Sequence, residues 1–231
     1  MNKTDKIIAQ ARKENRKALL ESEAKTIVKE YGINVPKFQV ATSVKEAAKI
    51  ATEFGFPIVA KIVSPEIIHK SDAGGVKVNL KSAAEVEAAY KTIVENAKKY
   101  NPKANIVGIL VTEMAPAGTE VIVGAVKDPQ FGATIMFGLG GIFVELLKDV
   151  TFKIAPVNAE EAKEMITSLK AFPLLKGYRN TPPADLDALA EILVCVSKLL
   201  IAHPEIKELD LNPVMAYAKG ASTVDARIIL E

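Results

Sequence analysis

"IVAKIVSPEIIHKSDAGGVKV", residues 58–78, sets a lysine inside an apolar run and follows it with a histidine, a second lysine and two adjacent glycines. Residues 57–64 (PIVAKIVS) read as one strand and 75–80 (GVKVNL) as the next. Lys61 then lies mid-strand, where an ammonium group is costly to bury unless an anion meets it. A lone strand lysine is otherwise an edge or solvent-facing residue. The connecting loop ends in Gly74-Gly75, a pair that either lets backbone N–H groups approach phosphate oxygens or makes a plain hairpin turn.

Working outward, residues 19–32 (LLESEAKTIVKEYG) carry apolar residues at helical spacing, with Ser22 as a cap and Gly32 as a stop. Residues 37–42 alternate as a strand, and 43–55 predict a helix opened by Ser43 and closed by Gly55. Residues 82–100 predict a long helix and 105–114 a further strand, so the first half interleaves helices and strands. The second half is richer in strands: 119–128, 133–141 and 142–157, joined by short turns as in an antiparallel sheet. Helices are expected over about 159–169 and 186–202, and the end (ELDLNPVMAYAKGASTVDARIIL) reads as two strands around a Lys219-Gly220 turn. The change of character near residues 114–118 (MAPAG) places a boundary there, giving domains 1–114 and 115–231.

A chain of 231 residues that is 49% hydrophobic can bury a real core. Its 30 basic and 28 acidic residues leave a net charge of +2, too little for nucleic-acid binding by counterion release. Cys195 is the single cysteine, which excludes an internal disulfide and fits a reducing compartment. The start is charged and lacks an apolar signal core, and the two most apolar windows, 132–147 and 188–202, are interrupted by charges or glycines. A cytoplasmic protein with no membrane partner is expected.

Two common phosphate motifs fail on spacing. There is no G-x-x-x-x-G-K-[ST], and residues 138–143 (GLGGIF) do not form a G-x-G-x-x-G that opens a helix. In residues 208–214 (ELDLNPV), Asp210 and Asn212 are two apart and share one strand face, and Asp225 can lie opposite on the next strand. Two carboxylates and an amide oxygen are hard ligands suited to Mg²⁺, although the same residues also suit a solvated hairpin.

A strand lysine, a glycine-containing loop, a VTEM strand and a terminal DLNP…VDAR pair together resemble an ATP-grasp domain over nearly the whole chain. Residues 21–33 (ESEAKTIVKEYGI), 64–76 (SPEIIHKSDAGGV), 138–156 (GLGGIFVELLKDVTFKIAP) and 208–214 are similar to β subunits of ADP-forming acetyl-CoA synthetases, relatives of succinyl-CoA synthetase. The resemblance implies an α+β ATP-grasp fold of two subdomains with the nucleotide site between them. It also implies formation of ATP and acetate from acetyl-CoA, ADP and phosphate, with CoA bound by a separate α subunit, most simply as a heterotetramer.

Carried over by position, the resemblance assigns Lys61 with Gly74 and Gly75 to nucleotide phosphates. Thr112, Glu113 and Met114 fall to adenine through backbone groups, and Glu120 to the ribose or to a structural role. Asp210, Asn212 and Asp225 become Mg²⁺ ligands, with Arg227 near phosphate. His69 becomes a second phosphoryl relay, a role that suits imidazole because its ordinary pKa leaves a neutral nitrogen at neutral pH. His203, at a helix end, reads as a cap, and Cys195, in an apolar helix, as an inert core thiol. Two rival readings stand beside this one: a self-sufficient ATP-grasp ligase joining a carboxylate to an amine or thiol, and a nucleotide-binding regulatory subunit without chemistry.

Overall fold

The computed structural model describes residues 2–141, 148–179 and 181–231. The described residues divide into two compact units. One comprises Leu20–Ser22 and Pro36–Ala115; the other comprises the chain up to Leu19, Glu23–Val35 and Pro116–Glu231.

The first unit is built on a four-stranded antiparallel sheet in the order β1-β4-β2-β3, from β1 (Phe38–Ala41), β2 (Ile58–Val63), β3 (Val76–Leu80) and β4 (Gly108–Glu113). Helices α3 (Val44–Phe54) and α4 (Ala83–Tyr100) pack on it. Both start as the sequence predicts. The Ser43 hydroxyl accepts from the Glu46 N–H and the Ser82 hydroxyl from the Glu85 N–H, satisfying donors that the first helical turn leaves open. Gly55, with φ of 88°, closes α3. Val86, Ala89, Ile93 and Ala97 form a buried stripe on α4 against Ile58, Ala60 and Ile62 of β2. Those three alternate with Val59, Lys61 and Val63, which are also buried, so β2 is an interior strand on both faces.

The second unit holds a six-stranded antiparallel sheet. Its path is β10-β8-β5-β6-β7, with β9 paired to β8. The strands are β5 (Thr119–Asp128), β6 (Gly132–Leu139), β7 (Val150–Ile154), β8 (Ile206–Ala216), β9 (Ala221–Thr223) and β10 (Ala226–Leu230). Helices α5 (Ala159–Thr167) and α7 (Leu186–Ala202) pack against β6, burying Ile135, Phe137, Met165, Leu193 and Val196; α6 (Phe172–Leu175) is a single turn between them. Of the strand expected over 142–157, the structure describes β7; residues 142–147 lie outside the described residues.

The leading segment differs from the expected boundary. Helices α1 (Lys3–Lys13) and most of α2 (Glu21–Glu30) group with the C-terminal half rather than with residues 36–115. The reason is a backbone ladder: Leu19 N–H donates to Ile228 and Leu230 N–H to Lys17, laying residues 17–19 along the edge of β10. Helix α2 begins at Glu21, one residue before the Ser22 expected to cap it. The final hairpin also differs, because its second strand is split at Val224-Asp225. There the partner on β8 is Pro213, which has no N–H to give; its carbonyl accepts from Val224 instead.

Candidate functional site

Lys61 is 5% exposed and lies between β3 and β4, so it is neither an edge residue nor a solvated one. The anion that meets it comes from the chain itself. Glu21, at the first turn of α2, places Oε1 at 2.7 Å from Lys61 Nζ and Oε2 at 2.8 Å from Lys70 Nζ. One buried carboxylate thus joins a strand lysine to a loop lysine. His69, next to Lys70, is exposed.

The loop from Ser64 to Gly75 is held by its own hydrogen bonds. Glu66 Oε2 accepts from the Ser64 hydroxyl and from the Asn105 N–H, both at 3.0 Å, and Asn96 Nδ2 donates to the Gly74 carbonyl. The glycine N–H groups, expected to face phosphate, are engaged inside the loop: Gly74 donates to Ser71 and Gly75 to Lys70. Gly75 is required by space, since a Cβ there would lie 2.5 Å from Ile62 Cγ2 and 2.9 Å from the Lys70 carbonyl oxygen. Gly74 has φ of 60°, a conformation that favours glycine. In this structure the pair shapes the loop that carries His69 and Lys70.

Thr112 and Glu113 end β4, and Met114 follows it in the same unit. The Thr112 hydroxyl donates to the Lys37 carbonyl, and Glu113 receives both the Lys37 N–H and its ammonium group, at 3.0 and 2.9 Å. Burial opposes ionisation of Glu113, but these contacts outweigh it and hold the carboxyl below the ordinary range. With the side chains of Thr112 and Glu113 committed to Lys37, recognition by this strand falls to backbone groups and to the half-exposed Met114.

The remaining candidates lie on the second unit. Asp210 and Asn212 alternate along β8 with buried Leu209 and Leu211. Because Leu211 pairs with Ala226 and Val214 with Thr223, Asn212 falls opposite Asp225. A register shift against β5 lies beside this point, a local bend of the kind that re-aims side chains at functional sites. Burial pushes the Asp210 carboxyl above its ordinary range, Arg227 opposes that, and the neighbouring charge of Asp225 adds to it. Among the described residues no three His, Cys, Asp or Glu side chains cluster as a metal site, so a cation here depends on the Asn212 amide oxygen as third donor. Arg227 is directly opposite Asp210, with Nη2 3.6 Å from its Oδ2. Glu120 is exposed on β5, and its carbonyl accepts from Gly140 N–H.

Strand register extends this group into a row across the sheet: Arg227, Asp210, Gly124, Met136 and Phe152, each paired with the next. The row lines a cavity of about 190 Å³ whose one end is charged and whose other end is apolar. Gly124, in the middle of the row, lines the cavity.

Against known proteins, the ATP-grasp domain family matches residues 10–230. The chain belongs to the ATP-grasp family. Within that family, it is 54% identical to the acetate–CoA ligase [ADP-forming] I subunit beta of Pyrococcus furiosus, over 99% of this chain and 98% of that one. Among solved structures, an acetyl-coenzyme A synthetase 1 of Ca. Korarchaeum cryptofilum with coenzyme A and Ca-AMPCP superposes with a TM-score of 0.97 at 50% identity, covering 99% of this chain and 100% of that one. A second structure of that protein holds Mg-AMPPCP with a phosphohistidine segment pointing towards the nucleotide site; its TM-score is 0.87 at 46% identity, with 99% and 100% covered. This ATP-grasp chain is therefore α+β, as the sequence implies, and is a relative of ligase β subunits over its full length.

Glu21 is the residue that sequence reasoning missed. Its partners are 40 and 49 positions away, and no local spacing marks it; the only signal is an unexplained lysine in an apolar strand, which demands a counter-charge somewhere in the chain. His203 ends α7 and its N–H donates to Leu199, in line with its reading as a helix-end residue. Cys195 is buried, and burial raises its thiol, which suits an inert core residue. Among the described residues no helix is long and apolar enough to cross a membrane.

Proposed function

We propose that this chain is the nucleotide-binding β subunit of a cytoplasmic ADP-forming acetyl-CoA synthetase that works with a CoA-binding α subunit in a heterotetramer. The reaction is acetyl-CoA + ADP + phosphate ⇌ acetate + CoA + ATP. An imidazole nitrogen of His69 attacks the phosphorus of a phosphohistidine on the α subunit; the old N–P bond breaks as the new one forms. An oxygen of the ADP β-phosphate then attacks phosphorus on His69, giving ATP and restoring neutral imidazole. Lys61 and Lys70 neutralise phosphate charge, which is most of what phosphoryl transfer asks of a protein. Adenine lies against the backbone of residues 112–114, and Glu120 lies near the ribose.

Asp210, Asn212 and Asp225 hold Mg²⁺, and Arg227 faces the phosphates. Their fit rests on oxygen donors converging from facing strands and on the raised Asp210 carboxyl, which a cation would relieve. The ion supplies charge neutralisation of the phosphate oxygens.

The observation that carries this reading is the exposed His69 beside a pair of lysines held on one buried carboxylate. A self-sufficient ligase is disfavoured, because a relative matched from end to end is itself named a beta subunit. The test is label transfer from [γ-³²P]ATP and Mg²⁺ to the chain with its α partner. Acid-labile, base-stable label on this chain that His69→Ala abolishes is expected, with nucleotide binding retained. Label confined to the partner and undiminished by the substitution would reduce the chain to a nucleotide-binding subunit.

A further inference from the structure

We infer that Glu21 is a positioning residue for phosphoryl transfer: it clamps the His69-bearing loop to β2 by holding Lys70 and Lys61 on the two oxygens of one carboxylate. The inference rests on the relay reading above and adds a residue to it.

The side chain of Glu21 is 1% exposed, that of Lys61 7% and that of Lys70 21%. An ion pair so removed from water is weakly screened, and losing one member leaves buried charge behind. The three residues come from three separate pieces of chain: the first turn of α2, the middle of β2 and the loop two strands share. Lys61 is fixed by its strand, paired to β3 and β4. Lys70 is on the loop, where the backbone is tied at Ser64–Glu66 and at Gly74–Gly75 but where His69 itself is exposed. Glu21 links this exposed centre of the loop to the strand that carries Lys61.

A phosphoryl group arriving at His69 meets lysines whose positions are already set, and loop freedom need not be lost during transfer. The carboxylate touches no reacting atom in this scheme; it acts through Lys70 and Lys61.

The experiment measures single-turnover labelling of His69 by [γ-³²P]ATP·Mg²⁺ in the assembled enzyme, with nucleotide affinity measured separately. Glu21→Gln is expected to slow labelling at saturating nucleotide by about tenfold or more, and Glu21→Asp, which keeps the charge, to fall between it and wild type. Lys70→Met is expected to be slow too, and the double variant no slower than Lys70→Met. A folded Glu21→Gln that labels at the wild-type rate, or an effect that multiplies in full with that of Lys70→Met, overturns the inference. Should Glu21→Gln not fold, Lys70→Met decides, because it leaves the Glu21–Lys61 pair in place: slowed labelling with faster amide exchange over residues 64–75 supports the clamp, and a wild-type value of either overturns it. Wild-type enzyme that never labels at His69 refutes the relay and not the clamp, which the amide exchange of that loop in the Glu21 variants then judges on its own.

Discussion

At the scale of single residues, Asp210 shows a site held at a cost to stability. Its carboxyl is partly buried, lies close to the charge of Asp225 and has Arg227 at 3.6 Å as its charge partner, so its ionised form is destabilised in the folded chain. Asp210→Asn is expected to raise stability by about 1 kcal/mol at neutral pH while lowering Mg²⁺-dependent nucleotide turnover. Urea unfolding and steady-state kinetics on the same preparation check both halves. Lys61 was legible at this scale because a charge in an apolar strand breaks the local pattern. Glu21 was not, because a glutamate at the start of a helix is ordinary and its partners are set by tertiary folding. The glycines were legible as turn or phosphate-loop residues, and in the structure their N–H groups donate within the loop.

At the scale of elements, periodicity carried most of the reading. The strand over 119–128 and the helix over 186–202 appear with the same boundaries, since each has an uninterrupted pattern bounded by turn residues. The terminal hairpin did not, because the missing N–H of Pro213 acts on the partner strand, where no local pattern records it. Asp185, at the start of α7, illustrates a cap with a second duty: it accepts from Ala188 N–H at 3.0 Å and from Gly220 N–H at 2.8 Å, joining the helix to the β8–β9 turn. The Gly220 and Ala188 hydrogen bonds hold its carboxyl below the usual range. A depressed folded-state pKa adds stability above the unfolded value, and that stability is lost as pH falls through the folded one. Asp185→Ala is therefore expected to cost about 1–2 kcal/mol at pH 7, with the gap to wild type narrowing below the ordinary carboxylate range. Thermal unfolding across pH measures it.

At the scale of the whole molecule, the fold class was legible through the resemblance of the motifs, and the order of elements, strands with helices first and strands in series later, agrees with it. The grouping of the leading segment did not follow, because residues 17–19 join β10 from more than 200 positions away, beyond the reach of any local pattern. Thr4 ties α1 to α2 by donating to Glu30. A chain lacking residues 1–19 is expected to unfold at lower temperature and to aggregate, since the edge of β10 loses its covering strand. Calorimetry and light scattering against the full chain test this; unchanged behaviour would mean that the bridge at Ala18 and Ile229 contributes little.

The cross-strand row over the large sheet carries a different kind of consequence. At its middle is Gly124, and a methyl group placed there would meet the terminal Cε of Met136 at 3.1 Å, with the next contact, the Leu209 carbonyl oxygen, at 3.8 Å. The obstacle is the far end of a flexible thioether rather than the backbone, and methionine adapts its rotamers readily. The cavity can thus be made shallower in small steps with the strands left where they are. For an engineer this is an adjustable wall: the residue at 124 sets how much of the cavity is open, with the charged end at Asp210 and Arg227 left unchanged.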